Sequence, residues 1–339
     1  MNNHTVIGID LAKSVFQVAI SSANNIISNK KLNRNQLKEF LLNSEPSNIF
    51  MEACYSSNYW GRFAEQAGHQ VKLIPAQHVA PFTRGNKNDA NDAIAIIEAA
   101  NRPNLKFVSV KTIEQQDIQS LHRIRERLVR NRTGLFNQTR GLLAENGVVF
   151  AAGKKQFLLG VEKALNESTI SELFKQEVRA NLDELALISK RITTIETTLR
   201  HYVAHDHNAK ILHSIPGIGV LIASALASKY SDPRQFDNAR DLSVHIGLTP
   251  RLVASGNKQK MLGISKRGDR YLRKQLIHGA RALMIFAPKR KDDALCVWAL
   301  QIKQRRGYNV AVVALANRMA RLTWTLLNKQ ELYRSRLAH

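Results

Sequence analysis

Thr5-Val6-Ile7-Gly8-Ile9-Asp10-Leu11 is a short apolar run rich in β-branched residues that delivers a carboxylate at its end. Such a run, bounded by polar residues, reads as a buried strand rather than a helix. A second strand, Val15 to Ile20, follows directly. A carboxylate at the edge of a buried strand is costly unless a cation meets it. Asp10 is therefore either a surface residue of a hairpin or part of a site, and the positions of the next acids bear on the choice.

Outward from this stretch, Ser21 to Asn25 carries turn residues and Ile26 to Leu32 can pair as a third strand, giving an antiparallel meander. Leu37, Phe40 and Leu41 have helical spacing within Asn35 to Leu42. Asn48 to Ala53 is a further apolar strand and ends in Glu52. Ser57 to Ala67 reads as a helix closed by Gly68, and Gln70 to Ile74 as a strand stopped by Pro75. Asn88 to Ala100 reads as a helix with Asp89 and Asp92 on one face near its start.

Three antiparallel strands, a helix, then alternating strand and helix is the order of the RNase H-like fold, an α/β architecture. In that arrangement Asp10, Glu52, Asp89 and Asp92 can converge on a pair of divalent cations. Mg²⁺ prefers oxygen ligands, and two such ions can clamp a phosphodiester during cleavage. Without metal, four clustered carboxylates would repel one another and raise their pKa values. Asp89 and Asp92 also fit a simpler role, as acids favoured by the dipole at a helix start.

The chain has 339 residues, 44% hydrophobic, enough for two domains with their own cores. It lacks an apolar run of about 18 residues and begins without signal-peptide features, so a cytoplasmic protein with no membrane partner is expected. Cys54 and Cys296 are too far apart in sequence to suggest a metal motif or a disulfide framework. Fifty Lys and Arg stand against 27 Asp and Glu, for a net charge of +23, which points to a polyanionic partner. Residues 210–339 hold 24 basic and 7 acidic side chains, so most of the excess lies there. With aromatics at 6%, base stacking on a single strand is not the main binding mode.

Ile113 to Glu145 reads as one long helix crowded with Arg123, Arg125, Arg127, Arg130 and Arg132, either a solvated face or a contact with a nucleic-acid backbone. Val178, Leu185, Ile188, Ile192, Ile195, Leu199 and Tyr202 follow a heptad pattern interrupted at Asn181. This coiled-coil seam can dimerise the protein or fold back on the helix at 113–145. Ile211 to Ala223, with Pro216-Gly217-Ile218-Gly219 at its centre, resembles a helix-hairpin-helix motif. Gly217 and Gly219 there can let backbone N–H groups approach a phosphate, or simply make a tight turn. Ser255 precedes Gly256 in a cation-rich loop. Its hydroxyl can approach a phosphodiester, although Ser-Gly is also a common turn pair. Lys258, Lys266, Arg267, Arg270, Arg273 and Lys274 read as phosphate binders, and Ala294 to Leu327 as helical core.

Gly-Ile-Asp at Asp10, Met-Glu-Ala at Glu52 and Lys87-Asn88-Asp89-Ala90-Asn91-Asp92-Ala93 together resemble the DEDD domain of the Piv-type, or IS110, transposases of bacterial insertion sequences. Ile215 to Leu276, with Ser-Gly, Gly-Ile-Ser-Lys-Arg-Gly and Leu-Arg in order, resembles that family's second domain. The resemblance implies a site-specific DNA recombinase. A RuvC-like domain holds Mg²⁺ or another divalent cation through Asp10, Glu52, Asp89 and Asp92, and Ser255 forms a covalent phosphoserine link to DNA. It also implies donor and target DNA as partners, a structured bridge RNA as guide, and a homo-oligomer from dimer to tetramer acting at the nucleoid. The parts expected are a RuvC-like domain at 1–108, a helical coiled-coil spacer at 109–208, and a mainly helical transposase domain at 209–339. Two alternatives compete with this: a RuvC-like junction nuclease with water as nucleophile, and a non-enzymatic nucleic-acid binder. A DNA invertase of the Piv type is closer kin, separable by genomic context.

Overall fold

Alternation along Val6–Leu11 (β1) sets the first layer of the fold, because successive side chains point to opposite faces of a strand. The computed structural model describes residues 5–23, 25–82, 89–103, 105–151, 153–255 and 258–335, with Asp89 and Lys258 described in their backbone only. After β1 come β2 (Val15–Ser22), β3 (Asn25–Asn33), α1 (Arg34–Asn43), β4 (Asn48–Glu52), α2 (Ser57–Gln66), β5 (Gln70–Ile74), the short α3 (Ala76–Val79) and α4 (Asp89–Ala100). Among the described residues the sheet order is β3-β2-β1-β4-β5. β1 pairs antiparallel with β2 and β2 with β3, while β1, β4 and β5 run parallel.

The odd positions Ile7, Ile9 and Leu11 are buried with Phe16, Ile49 and Met51 beneath Leu37 and Leu41 of α1 and Trp60 and Ala64 of α2. α1 starts cleanly because Asn33 and Gln36 form a reciprocal capping box, at 3.0 and 2.8 Å. The opposite face packs on α4, where Phe50 and Ile74 meet Ile96 and Ala99, and Ala19 meets Ala93 and Ile97.

Gly8 is what lets α4 come this close. A Cβ at Gly8 would stand 2.6 Å from the Ala93 carbonyl oxygen and 2.7 Å from Ile97 Cγ1. Gly8→Ala is therefore expected to cost about 1–3 kcal/mol, the range for overpacking. A lower denaturant midpoint with an unchanged m-value would show it.

The rest of the chain is mainly helical: α5 (Ile113–Glu145), α6 (Lys154–Glu167), α7 (Glu172–His205), α8 (His207–His213), α9 (Val220–Lys229), α10 (Ala239–His245), the hairpin β6 (Pro250–Ser255) and β7 (Lys258–Ile264), then α11 (Arg270–Phe286), α12 (Ala294–Arg306) and α13 (Tyr308–Lys329). α5 has the bounds its sequence suggests, and Thr112 and Gln115 cap its start at 3.1 and 3.2 Å. All seven residues of the α7 seam are buried within a single chain. At its N-terminal end Val178 packs with Leu143 of α5 and with Phe157, Val161 and Leu165 of α6. Further along, Arg125 of α5 holds Glu196 at 2.8 Å.

α13 is long and apolar enough to cross a membrane by length and composition. Its apolar side is nevertheless used as core: Ala311, Val312, Leu315, Ala316, Met319 and Leu327 are buried. Nearby, the Trp324 indole N–H donates to the Pro233 carbonyl at 3.0 Å. The chain divides into two compact units, each assembled from separate stretches of sequence. The first is Met1–Gln116, Lys229–Arg270 and Ala320–Gln330; the second is Asp117–Ser228, Tyr271–Met319 and Glu331–His339.

Candidate active site

Strand register brings the first two acids together. Ile9 of β1 pairs with Met51 of β4, and Asp10 and Glu52 are the next residues on these parallel strands. They stand at the same level on neighbouring strands, whose spacing is about 4.8 Å. Both lie on the α4 side, since Gly8, two residues before Asp10, faces Ala93, and Phe50, two before Glu52, packs on Ile96. Carboxyl ends of parallel strands are where open α/β sheets place their ligands.

A ladder of amides ties the first turn of α4 to the same rung. Gln17 pairs opposite Asp10 on β2. Its side-chain amide donates to Asn29 Oδ1 at 2.6 Å, and Asn29 Nδ2 donates to the Ala90 carbonyl at 3.0 Å. Asp92 follows two residues after Ala90 in that helix. Gln17 is buried, and neither Gln17 nor Asn29 is singled out by the sequence motifs; the available signal is one amide inside the apolar run Val15 to Ile20.

Among the described residues no three His, Cys, Asp or Glu side chains stand close enough together to share an ion. Of Asp89 only the backbone is described, at the start of α4, and Lys87 and Asn88 of its motif lie outside the described residues. The donor types suit a hard cation: Asp10 and Glu52 are oxygen donors at neighbouring strand ends, and Asp92 follows the turn of α4 that is tied to their rung. Asp10→Asn and Glu52→Gln are each expected to lower DNA strand cleavage by at least about 100-fold while leaving the fold intact, since both changes are isosteric. Cleavage of a labelled duplex and a thermal midpoint check the two halves.

Ser255 is the last residue of β6, not a loop residue as its sequence context suggests, because β6 and β7 pair up to the Ser255–Lys258 rung. Every residue of β6 is exposed, so the hairpin presents Ser255 to solvent. Gly256 and Asn257 lie outside the described residues, as does the side chain of Lys258. At the hairpin base the Ser265 N–H donates to the Thr249 carbonyl at 2.8 Å, and the Lys266 N–H to the Gly247 carbonyl at 3.2 Å.

The remaining cations divide. Lys266, Arg267 and Arg270 are exposed and Arg273 is half-buried. Lys274 holds Glu126 at 2.5 Å and lies over the Tyr271 ring at 5.3 Å. Asp269, inside the basic stretch, forms an ion pair with Lys229. The sequence pairs Gly217 with Gly219, but the structure separates them. Gly217, at φ +85°, is pressed on α11, where a Cβ would stand 3.0 Å from the Gly279 carbonyl; Gly219 opens α9 with nothing near it.

In the second unit His122 is buried between Ser224 Oγ at 3.0 Å and Tyr271 OH at 2.9 Å. Burial first, and Arg125 second, push its pKa down to about 4, so it is neutral at physiological pH. Ser224 is fully buried and donates to the Val220 carbonyl at 2.7 Å, so this trio is structural.

Paired strand-end acids, an acid-bearing helix start and a basic, exposed hairpin suit chemistry on nucleic-acid phosphodiesters. Residues 7–146 match the DEDD_Tnp_IS110 family, described as "Transposase", and residues 209–294 match "Transposase IS116/IS110/IS902 family". The class is thus a DNA transposase, an enzyme that cuts and rejoins DNA strands. Three relatives match nearly end to end. The "Probable family 20 transposase" of Pseudomonas aeruginosa is 41% identical over 98% of this chain and 99% of its own. The "Transposase for insertion sequence element IS1111A" of Coxiella burnetii is 40% identical over 98% and 92%. The "Transposase for insertion sequence element IS1328" of Yersinia enterocolitica is 37% identical over 96% and 97%. The chain belongs to the IS110 family of insertion-sequence transposases.

Proposed function

We propose that the protein is an RNA-guided site-specific recombinase in which Ser255 attacks DNA and becomes covalently linked to it, with an RNase H-like, RuvC-like domain supplying the acids. The observation that carries this reading is the exposed placement of Ser255 at the end of a projecting hairpin, within the same compact unit as Asp10 and Glu52. In the first step Ser255 Oγ gives up its proton and forms a bond to phosphorus, the bond from phosphorus to the deoxyribose oxygen breaks, and the released oxygen takes up a proton, so none is gained or lost overall. Reversal by a new DNA end restores the hydroxyl, and the covalent link conserves the phosphodiester energy, so no nucleotide cofactor is needed. Lys266, Arg267 and Arg270, together with Lys258, offset charge on the reacting phosphate and hold the strands; Arg273 and Gly219 contact phosphates elsewhere on the DNA, whereas Lys274 and Gly217 are taken up by contacts within the fold. Mg²⁺ or another divalent cation, held by Asp10, Glu52, Asp89 and Asp92, would stabilise the departing oxygen.

The working parts are 1–108 for the acids, 109–208 as a spacer and 209–339 for the serine. The basic excess in 210–339, together with the exposed hairpin, supports a nucleic-acid guide as well as donor and target DNA. A homo-oligomer up to a tetramer would let acids and serine meet across subunits.

The deciding experiment traps the adduct. The protein is incubated with a nicked suicide DNA duplex and Mg²⁺, digested with trypsin, and the DNA-linked peptide is identified by mass. Linkage on the peptide Leu252–Lys258 supports the reading. DNA cleavage with no linked peptide would favour the junction-nuclease alternative, which needs only the acids assembled by strand register. RNA that copurifies with the protein, sequenced and returned with matching DNA, tests the guide separately: recombinant junctions only with that RNA are expected.

A further inference from the structure

The arginines of α5 divide by what they touch. Arg125 is committed to Glu196, Arg140 donates to the Phe150 carbonyl at 3.0 Å, and Arg132 lies near Lys154, whose pKa burial and that arginine push down. Arg123, Arg127 and Arg130 are exposed and, among the described residues, make no ion pair or hydrogen bond. At 3.6 residues per turn, positions 123, 127, 130, 134 and 141 fall on one side of the helix. Gly134 and Gly141 are exposed there, and a Cβ on either would meet nothing within 4 Å.

Two glycines inside a 33-residue helix weaken it, and neither is explained by packing among the described residues. Glu126 is the single acid between Arg123 and Gly141, and it is tied to Lys274. The result is a stripe about 27 Å long, from 18 steps at a rise of about 1.5 Å, in which the arginines occupy about the first 10 Å and bare backbone the second half. Its charge is complementary to a phosphodiester chain, and its shape selects which kind. An α-helix with side chains is about 10–12 Å across, close to the roughly 12 Å width of the B-form major groove, and glycines slim it further. The major groove of A-form RNA is too deep and narrow for a helix to enter.

We infer that α5 lies in the major groove of a DNA duplex, with Arg123, Arg127 and Arg130 on phosphates and base edges and Gly134 and Gly141 letting the helix sit deep. This goes beyond the proposed reaction and rests on DNA as partner, not on Ser255 or on a guide RNA.

The test uses the full-length protein, a mixed-sequence DNA duplex of about three helical turns, and an RNA duplex of the same sequence. Binding is read by anisotropy across a salt series, and groove occupancy by protection of guanine N7 from dimethyl sulfate, an atom of the major groove. R123Q/R127Q/R130Q is expected to weaken DNA binding on the order of 100-fold, flatten the salt slope by about 2 to 3, and lose N7 protection. K289Q/R290Q/K291Q, an equal charge change on an exposed loop of the same unit, is expected to lose less than about tenfold. G134L/G141L separates binding from folding: leucine favours helix, so the thermal midpoint should hold or rise while DNA affinity falls at least about tenfold. The inference is overturned if the unaltered protein does not bind the DNA duplex, if the arginine triple binds it unchanged or keeps N7 protection, or if the loop triple loses as much. It is equally overturned if the loss is as large on RNA, or if G134L/G141L keeps its affinity.

Discussion

Ser255→Ala is expected to abolish the protein–DNA adduct and lower recombination at least about 10⁴-fold, the scale on which a nucleophilic catalyst fails when its attacking atom is removed. The substitution should cost little stability, within about 0.5 kcal/mol, because Ser255 sits at the exposed end of β6 and supports no core. DNA affinity should change less than about twofold, since one neutral hydroxyl releases no counterions. That combination separates a reacting group from a folding or binding residue. An adduct formed in undiminished yield by the alanine variant would remove Ser255 from the chemistry and leave the acids as the centre of a nuclease. The Asp10 and Glu52 variants form the complementary arm, since their loss of cleavage is expected under either mechanism.

Gly268→Ala is expected to destabilise the first compact unit by more than about 4 kcal/mol, beyond the usual overpacking range. Gly268 has φ +84°, and a Cβ there would stand 1.8 Å from the His245 carbonyl oxygen. Gly247, at φ +77°, is its counterpart, with a Cβ 2.0 Å from the Arg267 carbonyl oxygen. Two backbone segments cross here, and backbone cannot rotate aside as a side chain can. The unfavourable backbone conformation adds about 1–2 kcal/mol for a non-glycine residue. Gly263→Ala provides the control, because Gly263 of β7 has a negative φ and open space around its Cβ; less than about 1 kcal/mol is expected there. Chemical denaturation of both variants decides it, and equal midpoints would show that the crossing has more give than its geometry implies. Because the crossing anchors the base of the hairpin, Gly268→Ala should also lower adduct formation in the fraction that remains folded.

The glycine pair changes how the basic stretch is understood. Gly263-Ile264-Ser265-Lys266-Arg267-Gly268-Asp269-Arg270 reads as a phosphate-binding run, and its exposed Lys266, Arg267 and Arg270 suit that role. Gly268, however, is fixed by a backbone crossing, and Asp269 is occupied by Lys229. Part of the pattern thus serves the fold. The same holds for Gly217, which packs on Gly279 of α11. A sequence shows that a glycine is present; what approaches it comes from another part of the chain.

Local chemistry was readable from the sequence because its causes are local. Alternation in Val6–Leu11, the capping pair at Asn33 and Gln36, Pro75 after β5 and the unbroken polar run of Ile113–Glu145 each act over a few residues, and the observed elements follow them closely. The acids at Asp10 and Glu52 could be named for the same reason, as ends of short apolar strands. Tertiary structure alone decided that Ile9 pairs with Met51, which sets those two carboxylates side by side, and that Gln17 and Asn29 tether the start of α4 to their rung. It also decided which α5 arginines are committed to the chain and which face outward, and that the α7 seam is covered within one chain. These outcomes depend on register and packing between segments up to about seventy residues apart, and the free energy that selects them is set by which surfaces meet, a quantity no single stretch of sequence contains.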